Sequence, residues 1–263
     1  MTVAAYRELE FDLAGALRDR LQTMFGEMST APLERSSIEA EIPNAQGVYQ
    51  LFYRDELVYV GKTDAEAGLK ARLRRHAEKI RHRVGLNPDD VRFKAIRIFV
   101  FTVMDLESSL LKSGRPSWNG GGFGSNDPGR ERDTTKIKNT NFDAVFPLDI
   151  SRTLPPSPPH AAISAEMAIK HVQDSVPWKI RRQNLGGRSR KPHSDLDQAL
   201  VALSGQSSSA WDTLAEIVSQ LPAGWQATAL KSHVILYKER RAYPEPLALV
   251  LSPGSRAEPP KDE

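Results

Sequence analysis

The chain has 263 residues, room for two folded units, and its 40% hydrophobic and 26% charged residues exclude wholesale disorder. Lysine and arginine number 36 against 33 acids, so the net charge is only +3, and affinity for nucleic acid has to come from local basic clusters. The absence of cysteine excludes disulfides, thiolate nucleophiles and cysteine-ligated metal sites, and fits a reducing cytoplasm.

At the N-terminus, Arg7, Glu8, Glu10 and Asp12 stand where an export signal would have a basic head and an apolar run. No stretch of about 18 apolar residues occurs, so neither export nor a membrane partner is expected. Leu9, Leu13, Leu17, Leu21 and Phe25 recur every four residues and predict an amphipathic helix over 4–28. The aromatic and β-branched runs GVYQLFY (47–53) and LVYV (57–60) flank the polar turn Arg54-Asp55-Glu56 and predict a β-hairpin. A basic helix over 65–82, a third strand over 91–103 and a short helix over 106–112 follow.

Residues 115–132 (RPSWNGGGFGSNDPGRER) are dense in glycine, proline and asparagine and predict a functional loop. The run LPPSPP (154–159) reads as a stiff extended linker, and the domain boundary is placed there. Beyond it the pattern predicts a helix over 161–172, a basic stretch over 179–191, a helix over 208–221 and strands near 225–231, 233–239 and 247–251, with a disordered end. The expected division is therefore 1–153, a proline-rich and basic linker region over 154–193, and a smaller C-terminal α+β unit over 194–263. There is no internal repeat.

Hydrolysis of a phosphodiester needs a base for the attacking water, positive charge for the phosphorane oxygens and usually a carboxylate-held divalent metal. Tyr49 and Tyr59 lie on the two arms of the hairpin, where pairing brings their phenols toward one site. Arg72 and His76, four apart, share a helix face with Leu69, Leu73 and Ile80, flanked by Arg74 and Arg75. Glu107 stands among Leu106, Leu110 and Leu111, where an ionised carboxylate needs a cation. Asn119 follows Trp118 at the mouth of the glycine-rich loop. Each has a plainer reading when taken alone: core aromatics, a solvated basic face, a buried salt bridge and a turn asparagine. Lys179, Arg181, Arg182, Arg188, Arg190 and Lys191 surround Gly186-Gly187 and suit either DNA contacts or a solvated linker.

Gly47-Val48-Tyr49 and Tyr59-Val60-Gly61, followed in order by Arg72, Glu107 and Asn119, resemble the GIY-YIG nuclease superfamily. From about Tyr6 to Asp133 the chain also resembles the GIY-YIG type II restriction endonucleases that are SacII isoschizomers and cut CCGCGG. That likeness rests on YVGK (59–62), LKARLRRH (69–76), RPSWN (115–119) and GFGSNDPGRERD (122–133). The resemblance implies an α+β fold, with a small antiparallel three-stranded sheet flanked by helices. It also implies Mg²⁺ on Glu107, with Mn²⁺ able to substitute, and Arg72 on the scissile phosphate. Tyr49 acts on the water, assisted by Tyr59, His76 or Lys62. The implied partners are double-stranded DNA, a second copy of the chain and a cognate DNA methyltransferase. Arg130 and Arg132 join the DNA-contacting residues, and the N-terminal helix and the 122–133 loop are candidates for the dimer contact or the groove reader. A structure-specific or nonspecific nuclease of repair or anti-phage defence, and a non-catalytic DNA-binding module, are the competing readings, because about 100 C-terminal residues have no counterpart in the resemblance.

Overall fold

The computed structural model describes residues 10, 12–63, 66–99, 116–124, 129–154, 162–186, 189–204 and 208–258. Glu107 with the helix expected over 106–112, Arg115, Arg188 and most of the proline run lie outside these residues. The chain forms two compact units, one of residues 1–77 and 87–120, the other of 78–86 and 121–263.

In the first unit, α1 (Leu13–Glu27) starts where the Asp12 carboxylate accepts the Gly15 N–H at 2.8 Å, satisfying a donor that the first helical turn leaves over. After β1 (Ala31–Pro32) and α2 (Arg35–Glu41) comes the hairpin of β2 (Gly47–Tyr53) and β3 (Glu56–Thr63). Its turn is only Arg54-Asp55, both at positive φ (50° and 65°), the primed geometry whose twist matches the flanking strands. Glu56, expected in the turn, opens β3 opposite Tyr53. α3 (Leu69–Ile80), all but its last three residues in this unit, and β4 (Val91–Arg97) follow. The sheet is antiparallel in the order β1-β4-β2-β3, so the three expected strands gain a two-residue edge strand, β1, on β4.

Strand alternation gives this sheet two faces. Val48, Val60 and Ile96 bury against Leu21 and Phe25 of α1. Tyr49, Leu51 and Tyr59 face the other way, toward the buried α3 stripe of Leu69, Leu73, His76 and Ala77.

The second unit contains α4 (Glu131–Thr134), α5 (Phe142–Val145), β5 (Ile163–Ser164), α6 (Ala165–Ser175), β6 (Ile180–Arg182), α7 (Ser194–Gln198), β7 (Leu200–Val201), α8 (Ala210–Ser219), β8 (Trp225–Ala229), β9 (Val234–Lys238) and β10 (Ala248–Leu251). Its main sheet runs β10-β8-β9-β6, antiparallel except for the parallel pair of β6 and β9. Ala168, Ile169 and Val172 of α6 and Leu214, Ile217 and Val218 of α8 share one core with Trp225, Val234 and Leu236.

The division at the proline run is thereby corrected. Residues 165–182 are no linker, because Val172, Trp178 and Ile180 are buried anchors of this core and β6 is a strand of its sheet. Residues 121–153 also belong to the second unit, which is the larger of the two. Among the described residues no helix is long and apolar enough to cross a membrane.

Candidate active site

The two tripeptides owe their glycines to close approaches. Tyr49 on β2 stands opposite Gly61 on β3, and a Cβ at Gly61 would lie 2.4 Å from the Tyr49 Cζ and Oη. A Cβ at Gly47 would lie 2.2 Å from the Ile96 carbonyl oxygen and 2.7 Å from Leu69 Cδ1. With both side chains absent, the Tyr49 ring packs directly against the backbone of β3 at Gly61 and α3 seats closely on the sheet.

Tyr49, Tyr59 and His76 form a buried three-ring cluster, with centroids 5.9 Å apart for Tyr49–Tyr59, 5.5 Å for Tyr49–His76 and 5.2 Å for Tyr59–His76. The Tyr49 hydroxyl lies 2.8 Å from His76 Nε2 and accepts a hydrogen bond from Arg72 Nε at 3.3 Å. Arg72 and His76, one helical turn apart, therefore converge on a single phenolic oxygen. Burial pushes the Tyr49 phenol well above the ordinary tyrosine range, and the neighbouring Tyr59 adds to this while Arg72 opposes it. Burial works against the Arg72 charge, yet Tyr49 and Tyr59 outweigh it and raise the Arg72 pKa, so the guanidinium stays charged.

Asn119, expected among the reacting groups, reaches the backbone of β3. Its Oδ1 accepts from the Val60 N–H and its Nδ2 donates to the Val60 carbonyl, both at 2.9 Å, as a neighbouring strand would. The amide clamps the free edge of β3 between Tyr59 and Gly61, while the adjacent Trp118 stacks near Tyr53 with ring centroids 5.9 Å apart.

Lys62 is opposite Val48 in the register, so it projects on the α1 side of β3, away from the face that carries Tyr59 and Tyr49. The structure does not bring it into the cluster. On α3, Arg74 pairs with Glu39 of α2 and Arg75 is exposed, so both point away from the cluster side of the helix.

Several basic residues expected to meet DNA have internal duties. Asp143 is fully buried between Arg132 and Arg83, with Arg83 Nη1 at 3.1 Å. Arg181 pairs with the buried Asp133, which also bonds to His233 Nε2 at 2.6 Å and accepts from the Tyr237 hydroxyl at 3.0 Å. Burial pushes Tyr237 up to about 12, with Asp133 adding to it, and holds His233 below the ordinary histidine range despite Asp133. Arg182 pairs with Glu166 at 2.6 Å. Arg130, Arg190 and Lys191 are exposed. The glycine-rich loop is likewise turned inward where it is described: Gly121 and Gly122 have positive φ, and Phe123 sits edge-on to Phe142 at 4.8 Å. Phe123, Arg132 and Asp133 thus have their aromatic and charged groups engaged within the second unit.

The two hairpin tyrosines thus meet an arginine and a histidine of the following helix. Residues 58–150 match the family model described as the Eco29kI GIY-YIG domain, which supports membership of the GIY-YIG superfamily and, with it, a nuclease. The matched span takes in Tyr59, Lys62, Arg72, His76, Glu107, Asn119, Arg130 and Arg132 and opens within β3, so the first tripeptide and Tyr49 precede it. No curated protein matches the chain at a significant level.

Proposed function

We infer that the chain is a Mg²⁺-dependent DNA endonuclease of the type II restriction kind, acting in the cytoplasm as a homodimer beside a methyltransferase that protects the same site. The observation that carries the chemistry is the Tyr49 hydroxyl held between His76 Nε2 and Arg72 Nε. A buried phenol is protonated near neutrality, so Tyr49 can take a proton from water only if its own proton leaves. His76 Nε2, 2.8 Å away, is the proposed acceptor in the tautomer that leaves this nitrogen unprotonated, and the Arg72 charge stabilises the phenolate that results. Arg72 is also the cation proposed to meet the charge that develops on the phosphate. Tyr59 packs both rings into place, and Asn119 fixes the strand that carries it.

Among the described residues no group of three or more histidine or acidic side chains stands together, and the charges acting on Tyr49 come from Tyr59 and Arg72. This part of the site does not by itself form a divalent-cation site. The proposed ligand is Glu107, and Mg²⁺ or Mn²⁺ bound there would stabilise charge on the transferring phosphoryl oxygens. Target choice as CCGCGG, with one subunit per strand of the palindrome, follows from the resemblance and from two-fold symmetry.

The test is digestion of unmethylated genomic DNA with Mg²⁺ or Mn²⁺ and sequencing of the ends. Discrete ends at one palindrome are expected, and Tyr49→Phe and Glu107→Ala should each lower the rate by about 10²–10⁴-fold or more while DNA binding persists. Random ends or junction-specific nicking would replace restriction with the structure-specific reading. Undiminished cutting by both variants would remove the site assignment.

A further inference from the structure

The second unit carries a cleft of about 580 Å³ whose lining, among the described residues, includes Arg130, Lys179, Arg181, Arg182 and Arg190 and no acidic residue. The carboxylates that pair with three of these cations, Asp133, Glu166 and Glu239, are absent from the lining. Arg181 is fixed by the buried Asp133, while Arg130, Lys179 and Arg190 are exposed. The Arg130 guanidinium lies over the Tyr237 ring at 4.3 Å, and the Tyr237 hydroxyl is tied down by Asp133. This stacking orients a planar donor fork suited to phosphate oxygens. Gly129 and Gly186, both at positive φ, leave stretches of the wall without side chains.

Arg130, the Lys179–Arg182 stretch and Arg190 bring cations from three separate parts of the chain to one cleft of about 580 Å³, larger than a single small anion fills. That distribution suits a chain of phosphates. Nearly all of this lining lies beyond residues 58–150, in the part of the chain that the GIY-YIG domain does not account for.

We propose that this cleft is a second nucleic-acid site, which binds the phosphodiester backbone of DNA independently of sequence. Its occupant being DNA rests on the nuclease reading above; its being a phosphate-backbone site rests on the cleft alone. The cleft adds affinity and residence on DNA, and takes no part in bond cleavage.

The experiment uses the full chain without divalent metal and measures binding of a random-sequence DNA duplex across a salt series. The triple variant Arg130→Ala, Lys179→Ala, Arg190→Ala is compared with a control triple, Lys136→Ala, Lys170→Ala, Arg240→Ala, which removes the same charge from exposed positions elsewhere on the unit. Each phosphate that the protein ceases to neutralise lowers the slope of log K against log salt by about 0.9, so the slope should fall by about 2–3 in the cleft triple and by less than 1 in the control. Arg190→Ala alone, at an exposed loop position, should lower it by about 0.9 and covers the case in which the triple folds poorly. Equal slopes for parent and cleft variants, or an equal fall in the control, would overturn the proposal, and a strong preference for an RNA duplex would overturn DNA as the occupant. If the parent cuts DNA and the cleft variants keep its slope, the cleft fails and the nuclease stands. If the parent never cuts but the slope falls in the cleft variants, the cleft stands without the nuclease.

Discussion

Substituting Gly61 with alanine tests the arrangement of the site with a single methyl group. The new Cβ would stand 2.4 Å from both Cζ and Oη of Tyr49, where ordinary contact begins at about 3.4 Å, so ring and strand must separate by about 1 Å. Tyr49 has no room to take up that shift freely, since its hydroxyl is held by His76 at 2.8 Å and Arg72 at 3.3 Å and its side chain is fully buried. Overpacking of this kind costs about 1–3 kcal/mol of stability. A displacement of about 1 Å in a reacting group costs about 10²-fold in rate. The two effects separate experimentally: the urea midpoint reports the first, and single-turnover cleavage at saturating DNA, at a temperature where the variant is fully folded, reports the second. DNA affinity without metal should be unchanged, because Gly61 lies beneath the Tyr49 ring. A Gly61→Ala protein that cleaves within about threefold of the parent would refute the claim that Tyr49 must lie over a bare strand.

Asn119→Ala removes both bonds to Val60 and should cost about 1–3 kcal/mol by chemical denaturation. It should also lower the single-turnover rate without weakening DNA binding; weakened binding at an unchanged rate would place Asn119 on the DNA instead. Asp143→Ala leaves Arg83 and Arg132 facing each other without their buried counter-ion, and should cost about 3–5 kcal/mol by the same assay. His233 is held below its unfolded value of 6.5 chiefly by burial, so below that pH the unfolded chain binds more protons than the folded one. Stability should therefore be fully present above about pH 6.5 and fall as the pH drops from there toward the depressed folded value, with His233→Gln flattening that limb of the thermal-unfolding profile.

The hairpin, α3 and the later α6, α8, β8 and β9 were legible because each carries a strong period or an aromatic, β-branched run bounded by turn residues. β1 was not, since Ala31-Pro32 has no period and exists as a strand only through its pairing with Phe93 and Arg92. β6 was hidden because lysine and arginine surround its one buried anchor, Ile180, and charge density read as a linker. The ion pairs of Arg132 and Arg181 were hidden for the same reason: their partners Asp143 and Asp133 lie 11 and 48 positions away, where no local pattern announces a buried pair. That Lys62 faces away from Tyr59 could have been read from the sequence, since a residue three beyond Tyr59 on a regular strand lies on the opposite side. Asn119 could not have been read as a clamp, because its partner Val60 is 59 positions earlier and the contact is to backbone.

The role proposed for Tyr49 turns on how it is buried. A solvated phenol would be a moderately poor base near neutrality, and burial makes the isolated group worse. Yet the same burial brings its oxygen to 2.8 Å from one imidazole nitrogen and within 3.3 Å of a guanidinium, at a distance from bulk water where both interactions are strong. The proposed base is then Tyr49 and His76 acting as one unit. On this argument His76→Ala should reproduce most of the defect of Tyr49→Phe, and the double variant should be little worse than either single one, because residues that act as one unit are not additive. A double variant whose loss is the product of the two single losses would mean that the tyrosine and the histidine serve separate steps.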